Sequence, residues 1–435
     1  LISTPESCAL FSTYQDMRDN LSQVNFLVVD EWHVLIGEKR GALFELFLSW
    51  LASFNFKFKR WALSATFSDI NMASQQLAFK QRVDVVSDNY QKIIQAAVLL
   101  PKLKDKQFKS LGDKLLPEVI EKIKSVTSTI LFTNTRSQSE HWYQLLLKSG
   151  KFKETELGIH HSAISGQSRR RIEQSVKEGG IKCIVATSSL DLGVDLDPVD
   201  LVINIGSPKG FARLKQRAGR SGHSPFDTSK IYIVPRNAFE VIESLAASKN
   251  INEPIYIEPK HTLLFFDVLT QHVINICMGQ AYTFDEIYSM CLTTFSFNSI
   301  DKHQLQWILE FCCNENAVLK AYPEYVKLIY SNNNYSTNPS KHIQKSQRYS
   351  IGAITSEDPI LVKFTNQKTI GTIEEQFIRQ LQPRDTFLFS GMVLAVVRVQ
   401  ENIVFVKKVK NKQPKFTRWL GGYMPYSSQL ANYLL

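Results

Sequence analysis

Two stretches of the sequence carry residue types suited to phosphate chemistry. The first is Gln216-Arg217-Ala218-Gly219-Arg220-Ser221-Gly222-His223, which follows a third arginine at Arg213. The planar, permanently charged guanidinium of arginine suits phosphate better than lysine does. When a γ-phosphoryl group is transferred, an arginine placed beside it stabilises the negative charge that develops there. That role also needs a carboxylate site for a metal ion, and Val28-Val29-Asp30-Glu31-Trp32-His33 supplies one.

The residues before Asp30 form a short apolar run, which predicts a buried parallel strand with carboxylates at its C-terminal edge. We expect Asp30 to hold Mg²⁺, directly or through water. Glu31 is expected to orient and deprotonate an attacking water.

A third stretch, Leu63-Ser64-Ala65-Thr66, closes the next predicted strand with hydroxyl groups. Taken in chain order, the carboxylate stretch, Leu63–Thr66 and the arginine stretch resemble motifs II, III and VI of the superfamily-two nucleic-acid helicases. Each stretch alone would also fit an ordinary strand end or a solvated basic face. The resemblance implies that His33 couples the carboxylates to the nucleic-acid side.

Composition is compatible with this interpretation. The chain has 435 residues and a net charge of +10, which favours a polyanionic partner. The six cysteines show no paired metal-type spacing and predict reduced thiols of a cytoplasmic protein. Polar residues interrupt the most apolar window, 262–278, so we expect a buried helix there and no membrane partner.

The sequence contains no G-x-x-x-x-G-K-[ST] phosphate-binding loop. Proteins with these three motifs carry that loop upstream. We therefore expect the chain to be a fragment that binds single-stranded DNA weakly and does not hydrolyse ATP by itself.

Further candidates for phosphate contact are short polar side chains and one arginine at predicted strand ends. They are Thr4, Ser64, Thr66, Thr133, Asn134, Arg136, His160, His161, Thr187 and Ser188. Each could instead cap a helix, and for His160 and His161 that alternative is strong. Lys39 and Arg40 are either phosphate contacts or solvated loop charges.

Strand and helix patterns alternate through the first half of the chain, which predicts an α/β fold with parallel sheets covered on both faces. The pattern weakens over 86–106, which predicts an inter-domain linker. Helical patterns over 262–278, 283–292 and 301–312, with a hairpin over 317–330, suggest a winged-helix module. A polar turn or linker is predicted at 332–337, and strands separated by Gly352, Gly371 and Gly391 follow.

The motifs together resemble the Lhr-type (large helicase-related) helicases. The resemblance is carried by Asp30-Glu31-Trp32-His33 with Gly37-Glu38-Lys39-Arg40-Gly41, by Gly206-Ser207-Pro208-Lys209 before the arginine segment, by Arg348-Tyr349-Ser350-Ile351-Gly352, and by Trp419-Leu420-Gly421-Gly422-Tyr423-Met424-Pro425. Tryptophan at the variable position of the tetrad is most similar to the bacterial ligase-associated DEXH-box branch.

The resemblance implies two RecA-like parallel-sheet domains (1–88, incomplete, and 89–248), a winged-helix domain (249–330) and a β-rich domain (331–435). It implies the cofactors ATP and Mg²⁺, 3′-to-5′ movement on single-stranded DNA, and unwinding of DNA or RNA–DNA duplexes in DNA repair, with DNA ligase and nuclease partners. ATP bound between the two RecA-like domains is expected to draw them together until hydrolysis.

Site roles also follow from the resemblance. Asp30, Glu31 and His33 are expected at the nucleotide, and Gln216, Arg217 and Arg220 at its γ-phosphate. Gly193 and Asp195 are expected to touch the nucleotide and to couple it to DNA. His223 stands where many relatives have arginine, which leaves Arg220 as the arginine finger.

Two other functions stay open at this point. One is a non-catalytic nucleic-acid-binding protein, which the missing phosphate-binding loop favours. The other is an RNA helicase, because contacts directed at phosphate serve both polymers and only contacts to the 2′-hydroxyl separate them.

Overall fold

The computed structural model describes residues 1–435 except 56, 65–69, 80, 88–91, 102–110, 192–198, 223–226, 254–263, 314–325, 353–359, 401, 410–413, 417–426 and 435. The chain forms two compact units, Leu1–Ser87 with Tyr256–Thr355 and Asp88–Ile255 with Ser356–Leu435. Each unit is therefore built from two separate stretches of chain.

The first stretch of unit 1 alternates helices with two short strands. Its elements are α1 (Pro5–Phe11), α2 (Met17–Leu21), β1 (Phe26–Val29), a 3-10 helix (Trp32–Val34), α3 (Lys39–Ala52), β2 (Lys59–Ala62) and α4 (Ile70–Leu77). β1 and β2 pair in parallel, with Val29 opposite Ala62. The two loops that follow these strands therefore leave the sheet at the same edge.

The second stretch of unit 1 is helical with a small hairpin. Its elements are α11 (Phe266–Gly279), α12 (Phe284–Leu292), α13 (Lys302–Cys312), β9 (Leu328–Ser331), β10 (Asn334–Thr337) and α14 (Lys341–Tyr349). The three predicted helices are confirmed to within a few residues. Capping boxes at Thr283 and Asp301 explain two of their starts.

The prediction of a polar turn or linker at 332–337 was wrong for most of that segment. Asn332 and Asn333 both have positive φ and form a two-residue hairpin turn, and β10 follows directly. The run of asparagines looks like a linker, but asparagine tolerates the left-handed conformation that such a turn needs. The predicted hairpin at 317–330 falls mostly on residues 314–325, outside those described.

Helix α3 lies at the centre of unit 1. Its residues from Gly41 to Leu51 are all buried, as expected of a helix that is covered on every side. Trp50 Nε1 donates to the Tyr282 hydroxyl at 3.0 Å. The backbone amide and the hydroxyl of Ser296 donate hydrogen bonds to the Glu45 carboxylate at 2.8 and 2.7 Å. Burial raises the pKa of Glu45 to about 7. The two stretches of unit 1 thus share one core.

Unit 2 contains the predicted parallel sheet. Its strands are β3 (Ile94–Val98), β4 (Thr129–Phe132), β5 (Leu157–His160), β6 (Cys183–Ala186), β7 (Leu201–Ile205) and β8 (Ser229–Val234), in the order β3-β8-β7-β4-β6-β5. The helices are α5 (Leu111–Lys114), α6 (Leu116–Lys124), α7 (Arg136–Lys148), α8 (Gly166–Lys177), α9 (Phe211–Ala218) and α10 (Ala238–Lys249), with 3-10 turns at Glu154–Glu156 and Ser188–Leu190.

The linker predicted at 86–106 contains a strand of this sheet. β3 pairs in parallel with β8 along its whole length, from Ile94 opposite Ser229 to Val98 opposite Ile233. An edge strand has a partner on only one side, so its sequence is less apolar than that of a central strand. The linker interpretation was wrong for this part of the segment.

The last part of the chain forms a mixed sheet. Its elements are β11 (Ile360–Phe364), β12 (Thr369–Ile373), α15 (Glu375–Ile378), β13 (Thr386–Phe389), β14 (Met392–Gln400), β15 (Ile403–Lys408), β16 (Lys415–Phe416) and α16 (Ser428–Asn432), with strand order β12-β11-β15-β14-β13-β16. The β-rich character of this part is confirmed.

Gly371 lies inside β12 and not between strands as predicted. A Cβ at this position would lie 1.9 Å from the carbonyl oxygen of Ala163 and 2.9 Å from Cζ of Phe389. Thr372 donates its amide to the same Ala163 carbonyl at 2.9 Å, and Ser165 donates to the carbonyl of Ile370 at 2.8 Å. Glycine is therefore required because the β-rich sheet packs here against the loop between β5 and α8.

Among the helices that the structure describes, none has the length and apolarity needed to cross a membrane.

We expect Gly371→Ala to lower the free energy of unfolding by about 1–3 kcal/mol, because the added methyl group meets backbone atoms that cannot move away cheaply. Urea denaturation of the whole chain measures this effect. Gly166→Ala is a matched control, since nothing lies within 4 Å of a Cβ there. Equal stability of the two variants would contradict the packing argument.

Candidate nucleotide and nucleic-acid site

The predicted carboxylate pair lies where β1 ends. Past the last residues of the strands, Leu63 donates its amide to the Val29 carbonyl at 2.8 Å, and Trp32 donates to the Leu63 carbonyl at 3.0 Å. These two bonds continue the parallel pairing and bring the Asp30 segment beside Ser64. Thr66 lies outside the described residues.

Glu31 has φ of 51°, in the left-handed region that is uncommon for residues other than glycine. Its amide donates to Oδ1 of Asp30 at 2.9 Å. The Asp30 side chain is exposed, whereas Oε2 of Glu31 is buried and accepts no hydrogen bond from the residues described. Strained backbone of this kind is a feature of functional sites, where the surrounding structure holds it in place.

His33 connects Glu31 to Ser64. Its Nδ1 lies 2.9 Å from the Ser64 hydroxyl oxygen and 3.4 Å from Oε2 of Glu31. Burial lowers the pKa of His33, while the charge of Glu31 acts in the opposite direction. His33 is therefore neutral at pH 7, and its Nδ1 can either accept from Ser64 or donate to Glu31.

Trp32, the variable residue of the tetrad, is fully buried. Its Nε1 donates to the carbonyl of Ala73 in α4 at 3.1 Å, and its ring contacts Phe44 edge to face. Trp32 thus fixes the turn that carries Glu31 and His33 against two helices.

Lys39 and Arg40 lie in the first turn of α3 and not in a loop, and each forms an ion pair. Lys39 forms an ion pair with Asp267 at 2.5 Å, and Arg40 binds both carboxylate oxygens of Glu6 at 2.6 and 3.1 Å. Both are partly exposed residues paired with acids of α11 and α1. Thr4 caps α1 by accepting from the amide of Ser7, which is the helix-capping alternative for that residue.

In unit 2, Arg217 is fully buried, and its Nη2 has no hydrogen-bond partner among the described residues. Its predicted contact with a γ-phosphate stays a prediction. Its Nε donates to Oδ1 of Asp191 at 3.0 Å, and Nη1 donates to the side-chain oxygens of Asn134 and Asn204. Its guanidinium lies 4.9 Å from the centroid of the Phe132 ring. Burial lowers the pKa of Arg217, and the charge of Asp191 opposes that effect.

Arg220 has the exposure that the finger role needs. It is half-buried, and its Nε and Nη2 donate to the backbone carbonyl of Asp191 at 3.2 and 2.8 Å. Arg213 approaches the same residue, with Nε 3.8 Å from Oδ2 of Asp191. Gln216 is half-buried on α9. His223, Gly193 and Asp195 lie outside the described residues.

Several strand-end candidates have their polar atoms bonded within the fold. The Thr133 hydroxyl is buried and shares a 2.7 Å hydrogen bond with Ser139. His160 lies between Ser189 at 2.8 Å and Glu173 at 2.9 Å. These are contacts between side chains and not the helix caps offered as the alternative for Thr133 and His160, since Thr135 caps α7.

His161 is also buried, with Nε2 at 3.1 Å from Oε1 of Glu140. Glu140 in turn accepts from the backbone amides of Ser390 and Gly391 in the turn between β13 and β14. His161 therefore belongs to a buried polar contact between the parallel sheet and the β-rich sheet.

The remaining candidates differ in their exposure. Thr187 is buried and donates its amide to the His160 carbonyl at 3.2 Å, whereas Ser188 is exposed. Asn134 donates to the Ser207 carbonyl at 2.7 Å. Arg136 is half-buried in the first turn of α7. Of this group, Ser188 and Arg136 keep their side chains most accessible for a phosphate.

Sequence reasoning missed Asp191, Asn204 and Glu140 as organising residues. All three are buried polar side chains: Asp191 follows the 3-10 turn, Asn204 lies in β7 and Glu140 lies in α7. A signal existed for Asp191, because an acid within an otherwise apolar segment needs a cationic partner when it is buried. Nothing in the sequence identifies Arg217 as that partner.

Three models of known protein families match this chain. The model for the winged-helix domain of large helicase-related protein matches residues 255–416, that for the helicase conserved C-terminal domain matches 112–224, and that for the DEAD/DEAH box helicases matches 1–73. The predicted combination of helicase and winged-helix parts is thereby confirmed.

Two of the curated relatives that match 99% of this chain illustrate the similarity. They are the ATP-dependent helicase Lhr-Core of Sulfolobus acidocaldarius, 30% identical over 450 residues, and the ATP-dependent helicase Lhr-Core protein 2 of Thermococcus barophilus, 28% identical over 442 residues. The matches cover 50% and 51% of those proteins, so the chain spans about half the length of the relatives.

A solved structure, the Mycobacterium smegmatis helicase Lhr bound to single-stranded DNA and AMP-PNP, superimposes with a TM-score of 0.72 at 23% identity, over 92% of this chain and 51% of that one. At this identity the similarity shows a shared fold. The finer assignment to the ligase-associated branch stays a prediction. The family models, the curated relatives and the fold agree, and the chain belongs to the large helicase-related (Lhr) family of helicases.

Proposed function

We propose that the chain is the part of an ATP-dependent helicase that moves 3′-to-5′ along single-stranded DNA and unwinds DNA or RNA–DNA duplexes, in DNA repair. The names of the curated relatives support dependence on ATP, and the DNA bound to the mycobacterial protein supports the choice of polymer. The direction, the hybrid substrate, the repair role and the ligase and nuclease partners come from family resemblance alone.

One observation supports this function above others, the contact of His33 with both Glu31 and Ser64. Glu31 belongs to the nucleotide side and Ser64 to the motif assigned to nucleic acid. A neutral imidazole has one donor and one acceptor nitrogen. A change in the hydrogen bond between Ser64 and Nδ1 of His33 therefore alters whether Nδ1 can donate to Glu31. If nucleic acid displaces the loop that carries Ser64, the hydrogen bonding of Glu31, the carboxylate proposed to activate water, can thus change.

The carboxylates fit the predicted metal and water roles. Asp30 offers exposed hard oxygen atoms at a strand end, which Mg²⁺ prefers. Glu31 keeps one carboxylate oxygen that is buried and accepts no hydrogen bond from described residues, so this oxygen can orient a water and take its proton. A bound Mg²⁺ would neutralise charge on the nucleotide phosphates.

The arginine role is best assigned to Arg220 alone. Its side chain is half-buried, and its Nε and Nη2 donate to the backbone carbonyl of Asp191, which orients the guanidinium. Arg217 acts one step away, because it holds Asp191, whose carbonyl positions Arg220. We therefore assign Arg217 to positioning and Arg220 to the γ-phosphate.

The coupling role of His33 is testable in an ATP-binding form of the protein. His33→Ala and Ser64→Ala should each lower the DNA-stimulated rate of ATP hydrolysis by roughly 3- to 10-fold, the worth of one hydrogen bond, with less change in the basal rate. Ser22→Ala, which removes an exposed serine hydroxyl elsewhere in unit 1, is the control. Equal losses of basal and stimulated rates would argue against coupling through His33.

The division of labour between the carboxylates gives a second test. Glu31→Gln should keep affinity for ATP and Mg²⁺ but hydrolyse very slowly, because an amide cannot take a proton from water. Asp30→Asn should weaken Mg²⁺ binding, because it removes the charge that the metal favours. Titration of Mg²⁺ against nucleotide binding distinguishes the two, and identical Mg²⁺ affinities would contradict the assignment.

Replacement of the two arginines should affect different properties, ATP turnover for Arg220 and stability for Arg217. Arg220→Ala is expected to reduce ATP turnover by about 10³-fold with little loss of stability. Arg217→Ala should lower the free energy of unfolding by about 3–5 kcal/mol, because it leaves Asp191 buried without its partner. Urea denaturation together with phosphate release measures both, and a stable Arg217→Ala variant would disprove the positioning role.

A further inference from the structure

A β-bulge in β14 turns Arg398 to the outer face of the β-rich sheet. Val396 and Arg398 are two residues apart, so in a regular strand both side chains would point to the same face. The pairing with β15 shifts between them, so that Val396 lies opposite Val406 and Arg398 opposite Phe405. Val396 and Val406 are buried in the core of this sheet, whereas Arg398 is exposed. The extra residue reverses the direction of Arg398.

Arg398 then lies over an aromatic ring. Its guanidinium carbon is 4.6 Å from the centroid of Phe405, which is almost completely buried. A cation is attracted to the face of such a ring. The contact with the ring uses no N–H group of the guanidinium, and none of the described residues accepts a hydrogen bond from Arg398.

Two lysines share this face. Lys363 in β11 is the direct neighbour of Phe405 on the side away from Arg398, so three adjacent strands place Lys363, Phe405 and Arg398 in one row. Lys407 follows Phe405 by two residues on β15 and therefore points to the same face. Strands lie about 4.8 Å apart, which puts the Cα atoms of Lys363 and Arg398 about 10 Å from each other.

These three cations lack acidic partners in the part of the chain that the structure describes. The ion pairs seen in this part of unit 2 are made by other lysines, Lys408 with Glu154 and Lys415 with Asp385. Residues 356–435 contain eleven Lys and Arg against six Asp and Glu. This segment therefore carries a net charge of +5, half that of the whole chain, which favours a polyanionic ligand.

We propose that the basic face, formed by Lys363, Arg398, Phe405 and Lys407, binds the sugar–phosphate backbone of a single-stranded nucleic acid. It is a second contact surface, separate from the helicase motifs, and it rests on the proposed nucleic-acid function but not on ATP hydrolysis. The fork of Arg398 suits phosphate oxygens, and contacts to phosphate carry no sequence information. Binding is therefore insensitive to sequence and strongly dependent on salt.

The test is the binding of a mixed-sequence DNA strand of about 30 nucleotides to the 435-residue chain over a range of salt concentrations. The double variant Lys363→Ala/Arg398→Ala should reduce the slope of log affinity against log salt by about 1.4, which corresponds to roughly 10- to 30-fold weaker binding near 0.1 M salt. Lys124→Ala/Lys148→Ala removes the same charge from exposed positions on α6 and α7 and should leave both values unchanged.

A second pair of variants tests how Arg398 is held. Arg398→Lys keeps the charge but not the planar fork, so it should recover the salt slope and only part of the affinity. Phe405→Leu keeps an apolar side chain and the net charge but removes the ring, and should weaken binding by a few-fold. Urea denaturation of each variant confirms that the sheet is folded.

The proposal is overturned if the double variant binds as the unaltered chain does, if the control pair loses as much affinity, or if the unaltered chain binds no DNA. Binding of poly-glutamate through these residues, without binding of DNA, would assign the face to an acidic protein and overturn it as well. A different result would contradict the proposed helicase function: normal ATP hydrolysis by Glu31→Gln, whether or not the basic face binds DNA.

Discussion

The buried ion pair between Arg217 and Asp191 is the interaction on which the arginine segment of unit 2 depends. Taking both charges out of water is costly, and that cost is offset only when nearly every donor and acceptor is satisfied. Asn134 and Asn204 accept from the guanidinium, and Phe132 lies against its face, while Nη2 of Arg217 has no hydrogen-bond partner among the described residues. The pair ties the ends of β4, β7 and α9 to the 3-10 turn, and the carbonyl of Asp191 then sets the direction of Arg220.

Unit 1 reaches its site geometry by a different means, the parallel pairing of two short strands. Backbone hydrogen bonds beyond β1 and β2 hold the Glu31 segment beside Ser64, and buried Trp32 holds it against α3 and α4. This support stabilises the left-handed backbone at Glu31, a conformation that costs of order 1–3 kcal/mol for residues other than glycine. The packing of a large core offsets this cost, because α3 and the winged-helix part share one set of buried side chains.

Each unit joins a helicase-type part to a later segment of chain. In unit 2 the joint consists of a backbone contact at Gly371 and the buried contact of His161 and Glu140 with the turn at Ser390. Such contacts span more than two hundred residues of sequence, and they satisfy polar groups that would otherwise be buried without partners. The β-rich sheet is therefore positioned on the parallel sheet by hydrogen bonds of defined geometry.

The sequence by itself determined the family, the order of the motifs, the three helices of the winged-helix part and most strands of the parallel sheet. Those features depend on local spacing, capping residues and apolar runs, which can be read along the chain. Only the tertiary structure decided that Arg217 is buried and Arg220 accessible, although both stand in one motif three residues apart. It also decided that 94–98 forms an edge strand, that Gly371 lies within a strand, and that a bulge turns Arg398 outward. In each case the conformation depends on a partner residue, such as Asp191, Ala163 or Phe405, that is distant in sequence or lies on a neighbouring strand. No local sequence pattern identifies that partner.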